Sequence, residues 1–204
     1  KIEVALKRGD ELYEGDEINT GGRSFIKAKM LDGTKFHLGK NARATLNEFE
    51  YDESAKVGKF EATVFTGGFH YKSGKIGKMF ADGSRKHAQI STPQAIIGIR
   101  GSEADGVVAS DGTFILKHIS GVFSISDVNG NPIGELDNPT DAVVVFADGT
   151  GTVTPLAELS PQLADALDQY NQEQVAADAV EREVEDEEAQ EEETQEQEEA
   201  EAGD

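Results

Sequence analysis

Asp-Gly followed by threonine or serine occurs at Asp32-Gly33-Thr34, Asp82-Gly83-Ser84, Asp111-Gly112-Thr113 and Asp148-Gly149-Thr150, and Asn129-Gly130 adds a turn of the same kind. Most of these dipeptides lie between short runs of alternating or continuous apolar residues. Glycine takes a positive φ without a steric penalty, and aspartate or asparagine bonds to its own backbone, so each reads as a tight hairpin turn. The spacings are unequal, which makes them a set of similar hairpins and not a fixed-period repeat. About a dozen short strands with turn signals roughly ten residues apart imply an all-β fold, a jelly-roll-like antiparallel β-sandwich.

The strand pattern is clearest over residues 25–38, where Phe25 to Leu31 and Thr34 to Leu38 flank Asp32-Gly33 as a two-residue hairpin. From Arg43 to Tyr51, Ala44 and Leu46 point inward, followed by Phe49 and Tyr51 after a bulge. Lys59 to Thr66 alternates, Gly67-Gly68 turns the chain, and Phe69 to Lys72 resumes an extended path. Near the N-terminus Gly9-Asp10 and Gly15-Asp16 mark two further turns. Their spacing fits no phosphate-binding loop, and acidic residues crowd them.

Two stretches stand out as candidate sites. Residues 77–86 are basic and turn-rich, which suggests an exposed interaction loop built from Lys78, Met79, Phe80, Arg85 and Lys86, with Met79 and Phe80 as apolar plugs. Ser91 to Glu103 is an apolar strand ending in an arginine between glycines, and its hub is Thr92, Pro93, Gly98, Arg100 and Gly101. Pro93 suits a strand start or edge. Ile96, Ile97 and Ile99 suggest burial on both faces. Gly98 and Gly101 suit a bulge or a close backbone approach. Arg100 has two roles open to it, an anion or partner contact, or a partly buried guanidinium tying carbonyls or a carboxylate between sheets. The apolar strand beside it favours the second.

After the β region (residues 1–154), Ser160 and Pro161 form a helix start, and Leu163, Leu167 and Tyr170 recur at helical spacing, so residues 155–180 should dock as a C-terminal helix. Residues 181–204 hold 14 acids and one base, a net charge of -13 within a total of -21. Such a block of like charge is expected to be a disordered acidic tail. The acidic balance argues against nucleic acid and anionic membrane surfaces as partners.

Little here points to catalysis. The chain has no cysteine. Its histidines, His37, His70, His87 and His118, form no metal-binding motif, although His37 and His70 could meet across a sheet. The aspartates lack EF-hand spacing, no serine lies in a nucleophile elbow, and the acid pairs have no helper pattern. The expectation is a non-enzyme without cofactor, with weak calcium binding by loops or tail at most. Ala142 to Ala147, the longest apolar run, is far too short to cross a bilayer. The chain begins with Lys1, which suggests a mature or trimmed form.

Ser91 to Glu103 resembles the core motif of the FecR domain, in which Thr-Pro leads through apolar residues to Gly-Ile/Val-Arg-Gly-Thr. Leu12 to Thr20, Asp32 to Ala42, Leu46 to Asp52, Gly67-Gly68-Phe69 and Ser73 to Ile76 are similar to further family segments in the same order, so the resemblance covers residues 5–126. Ser102 stands where threonine is usual, and Glu103-Ala104-Asp105 lacks the apolar or aromatic residue often found there. The family's cytoplasmic anti-sigma segment and membrane helix have no counterpart in this sequence. The resemblance implies a jelly-roll-like sandwich and a periplasmic, extracellular or surface location in a Gram-negative bacterium. It also implies a protein-interaction or regulatory module with a partner in the cell envelope. A carbohydrate- or calcium-dependent adhesive module is the alternative, although the chain has no tryptophan and only four tyrosines to stack on sugars.

Overall fold

The computed structural model describes residues 3–80 and 87–202, with side chains described as far as Val180 and at Arg182. Eleven strands form one hydrogen-bonded network: β1 (Glu17–Asn19), β2 (Ile26–Lys29), β3 (Lys35–Leu38), β4 (Arg43–Asp52), β5 (Val57–Lys72), β6 (Ala88–Ser91), β7 (Ala95–Val108), β8 (Phe114–Asp127), β9 (Pro132–Leu136), β10 (Asp141–Val145) and β11 (Gly151–Pro155). A short helix, α1 (Lys75–Met79), follows β5, and a long one, α2 (Pro161–Ala202), ends the chain.

The strands are not all short. β5, β7 and β8 run for 16, 14 and 14 residues and pass from one layer of the sandwich to the other. The first half of β5 pairs with β4 and, in parallel, with β6, while its second half pairs with β3 and β7. In β7, Ala95–Arg100 pairs with β6 and the end of β8, and Glu103–Val108 pairs with β5 and the start of β8. Sheet I is therefore β1-β4-β5-β6-β7-β8-β9, and sheet II is β2-β3-β5-β7-β8-β10-β11. Each crossing strand bends at a glycine with positive φ: Gly67 at 89°, Gly101 at 57° and Gly121 at 82°. These glycines look like strand ends in the sequence. In the fold they are corners of continuous strands.

Alternation within each strand sends one set of side chains between the sheets. Phe36, Phe60, Phe69, Tyr71, Phe114 and Phe123 fill the middle, all at 2% exposure or less. Phe36 meets Phe60 edge-on at 5.6 Å, a favoured aromatic arrangement. Ile97 and Ile99 join this core, whereas Ile96 is only partly buried, so β7 is not equally buried on both faces.

The hairpins close differently from the two-residue expectation. Met30 N–H donates to Thr34 O at 2.8 Å and Gly33 N–H to Met30 O at 2.8 Å, enclosing a three-residue loop. The same pair of bonds closes Ala109–Thr113, Phe146–Thr150 and Asp127–Asn131. This is a turn ending in a left-handed glycine, and the preceding aspartate's bond to the backbone fixes it. Asp82-Gly83 lies outside the described residues.

A second apolar layer covers the outer face of sheet II. Leu167 and Tyr170 of α2 pack on Val107, Ile115, Ala142 and Val144, with Leu156, Leu159 and Leu163 at the margin. Beyond this contact the backbone stays helical to Ala202, where a disordered tail was expected. Glutamate, glutamine and alanine, which dominate this stretch, have high helix propensity.

Candidate functional site

The two long sides of the sandwich are finished differently. On one side β9, the edge of sheet I, lies against β11, the edge of sheet II. A β-carbon on Gly134 would be 2.7 Å from Val153 Cγ2, and Pro132 further blocks β9 as a pairing edge. On the other side, among the described residues, β1 pairs only with β4 and β2 only with β3, and no strand pairing joins the two edges.

An N-terminal arm borders this gap, shaped by the Gly-Asp turns. Lys7 N–H donates to Asp10 Oδ2 at 2.7 Å, and Tyr13 N–H to Asp16 Oδ2 at 2.8 Å. Gly15 N–H then reaches Leu46 O at 2.7 Å, which anchors the arm to β4. Between arm and β2 lies a groove of about 820 Å³, lined by Leu6, Leu12, Phe25, Met30, Leu31 and Phe49 among others. Leu12, Ile26, Met30 and Phe49 are only partly buried and continue the core outward. Leu31, at the tip of the β2–β3 hairpin, is 89% exposed. A leucine in an Asp-Gly turn was the sequence signal for this surface, and the strand reading passed over it.

The residues of the Ser91–Glu103 stretch form corners and turns. Thr92 N–H donates to Ala95 O at 2.8 Å across Pro93-Gln94, and Thr92 Oγ1 accepts from Ala95 N–H at 3.0 Å. A β-carbon on Gly98 would sit 2.6 Å from Ser124 Oγ. Gly101 makes the corner of β7. Arg100 corrects the expectation of a partly buried guanidinium tied between the sheets: it does pair with a carboxylate, Glu135 at 2.9 Å, but with its side chain 45% exposed on the outer face of sheet I. With Ile97 and Ile99 inward, the two-residue period sends Arg100 outward. The polar groups buried in this stretch are Thr92 and Ser102; Ser102 is 2% exposed, and its Oγ lies 2.8 Å from Arg100 O and from Val122 O and accepts from Val122 N–H at 2.8 Å.

The basic stretch is not a simple exposed loop. Lys78 and Met79 lie on α1, and Phe80 is buried with its ring 5.4 Å from that of His87. Arg85 and Lys86 lie outside the described residues. The first turn of α1 is held by Asp32, itself buried, whose Oδ2 accepts from Ile76 N–H at 3.1 Å and from Thr34 Oγ1 at 2.7 Å.

His37 and His70 face each other across β3 and β5, with ring centres 5.4 Å apart, on the side of sheet II that α2 covers. His70 Nδ1 is 2.8 Å from Asp105 Oδ1. Burial, helped by the neighbouring His70 and Lys27, pushes the pKa of His37 down to about 4. Lys27 bonds Asp178 of α2 and thereby holds that carboxyl below its ordinary range. Among the described residues no cluster of three histidines or acids is arranged to hold a metal ion, and no helix is long and apolar enough to cross a membrane.

Two crystal structures of a proposed anti-sigma factor from Parabacteroides distasonis ATCC 8503 share this fold. The one at 2.50 Å resolution matches with a TM-score of 0.52 at 14% identity, over 69% of this chain and 59% of that one. The one at 1.65 Å resolution matches with a TM-score of 0.50 at 13% identity and the same coverage. The chain thus spans about three fifths of those proteins, and identity this low speaks to the fold alone. No protein-family model matches the chain, and no curated protein matches it in sequence.

Proposed function

We propose that this chain is a non-enzymatic regulatory module of the FecR kind, which binds a protein partner in or outside the envelope of a Gram-negative bacterium through the open side of its sandwich. The observation that carries this reading is the asymmetry of the two sides. One is sealed by β9 against β11, and the other leaves the core accessible through an apolar groove. A contiguous apolar groove of this kind, unlike single exposed apolar side chains such as Val128 and Phe146, marks an interaction site. The FecR-like motifs and the fold shared with a proposed anti-sigma factor support a regulatory role.

The test is capture from an envelope fraction with three baits: the native chain, Leu31→Glu in the groove, and Arg100→Glu on the far face. The expected result is one protein retained by the native chain and by Arg100→Glu and lost with Leu31→Glu. Identical capture by all three baits, or no specific capture at any of several salt concentrations, contradicts the proposal.

A further inference from the structure

The helix that covers sheet II also reaches the groove, and its two ends are held there in different ways. Leu163, Ala166, Leu167 and Tyr170 pack on the apolar layer of sheet II. Further along, α2 passes β3 and then β2. Glu173 accepts from Lys40 N–H at 3.2 Å and lies 4.0 Å from Lys40 Nζ, Gln174 bonds His37, and Asp178 bonds Lys27. Ala177 is the one fully buried side chain of residues 171–180. Val180 ends the contact as part of the groove's lining, and it is 47% exposed.

The near part of the cover is thus seated by apolar burial and the far part chiefly by polar contacts. Asp178 keeps about half of its side chain in water, and an ion pair with such a partner adds little to stability. Lys27 is largely covered, but it sits opposite His37 on the face that α2 covers, so it regains water when the helix lifts. The groove itself loses little by that movement. Leu6 and Leu12 of the arm, Met30 and Leu31 after β2 and Phe49 of β4 supply its apolar walls, and among the described residues α2 adds only Val180. Between Asp178 and Val180 the helix runs from β2 to the groove's rim.

We propose that α2 is a hinged strap: anchored at Tyr170, its residues 173–180 close on β2 and narrow the groove, and a partner's apolar side chains gain full access only when this segment lifts. The apparent affinity of the groove is then its intrinsic affinity reduced by the fraction of molecules with the strap lifted. The Lys27–Asp178 bond sets that fraction. The inference rests on the partner-binding reading above and adds the regulation of the same site.

The probe is 8-anilinonaphthalene-1-sulfonate, a dye that reports accessible apolar surface. Asp178→Lys places like charges together, and it is expected to bind the dye about threefold more tightly than the native chain while the thermal melt stays near the native one. Val175→Lys adds the same charge on the exposed side of α2 and is expected to match the native chain. Leu31→Glu combined with Asp178→Lys is expected to abolish the gain, because the dye then loses the groove. Locking the strap is the converse test. The chain has no cysteine, so Lys27→Cys with Asp178→Cys can be joined by a short bismaleimide, and joining is expected to weaken dye binding about threefold relative to the same protein unjoined. Dye affinity that ignores either Asp178→Lys or the joining, a loss with Asp178→Lys, an equal gain with Val175→Lys, or a gain that survives Leu31→Glu overturns the strap. If the envelope partner is lost with Leu31→Glu while dye affinity ignores Asp178→Lys, the binding function stands and the strap fails. If the dye responds as expected but the native and Leu31→Glu baits capture alike, the strap stands and the partner-binding reading fails.

Discussion

Tyr170 fills the space that a β-carbon on Gly68 would need: such an atom would lie 2.0 Å from Tyr170 Cδ2. Gly39 completes the notch, since a β-carbon there would lie 2.9 Å from Tyr170 Cε2. Two glycines side by side on β5 and after β3 thus create a socket in a sheet face, and one aromatic side chain of α2 plugs it. Tyr170 is 3% exposed, so the helix is fixed here more firmly than its sparse apolar stripe suggests.

Gly68→Ala is expected to displace α2 without disrupting the sandwich. Amide exchange along α2 should speed up while that of β7 and β8 stays protected. Tyr170→Ala should cost about 3 kcal/mol in chemical unfolding, the size of other large-to-small changes of buried aromatics. Equal loss of protection in helix and strands would mean that α2 and the sandwich unfold as one unit.

The corner of β7 gives a second prediction, a ranking of two residues near each other in sequence. Ser102→Ala strands the Val122 N–H and a carbonyl in a buried site and should cost about 1–3 kcal/mol. Arg100→Ala removes a pair in which both side chains are about half exposed and should cost no more than about 1 kcal/mol. Urea denaturation of both variants checks the order, and Arg100 as the more damaging site would contradict the corner geometry.

Much of the fold could be read from hairpin chemistry, because an Asp-Gly turn acts within five residues and needs no tertiary information. The bulge after Leu46 and the pairing of His37 with His70 were also visible, as both follow from the two-residue strand period. Gly67, Gly101 and Gly121 were harder to read. A positive-φ glycine can end a strand or turn its corner, and only the other sheet decides which. Arg100 was misjudged because its apolar neighbours on the chain point the opposite way. The groove was missed because its openness is a relation between the edges of two sheets, and its one local sign, Leu31 beside the Asp-Gly turn, was read as the end of a strand.

The same turn motif in two settings gives a third prediction. Asp32 is buried and holds Thr34 N–H, Thr34 Oγ1 and Ile76 N–H, whereas Asp148 is exposed and serves only Thr150. Asp32→Ala should cost about 3 kcal/mol and loosen α1, since a charged acceptor is removed from buried donors. Asp148→Ala should be much milder in the same thermal melt. Equal losses would show that the turn itself, and not its tie to α1, sets the cost.

The last prediction concerns pH. His37 is covered by α2 and faced by Lys27 and Lys35 from the strands, His70 from β5, and Gln174 and Asp178 from the helix. Its pKa falls from 6.5 to about 4 on folding, so between these values the unfolded chain binds a proton that the folded chain refuses. Stability must therefore fall as pH drops from about 6.5 to about 4, with no contribution from this group above that window. Asp178, its pKa lowered chiefly by the Lys27 hydrogen bond, loses its stabilising effect in the same direction at lower pH. His37→Gln removes the first effect and leaves the second. The variant's unfolding midpoint should change less than the native one between about pH 7 and pH 4.5. Amide exchange in α2 should show the native helix loosening before the strands. Parallel pH profiles for the two proteins would show that His37 takes up its proton without strain.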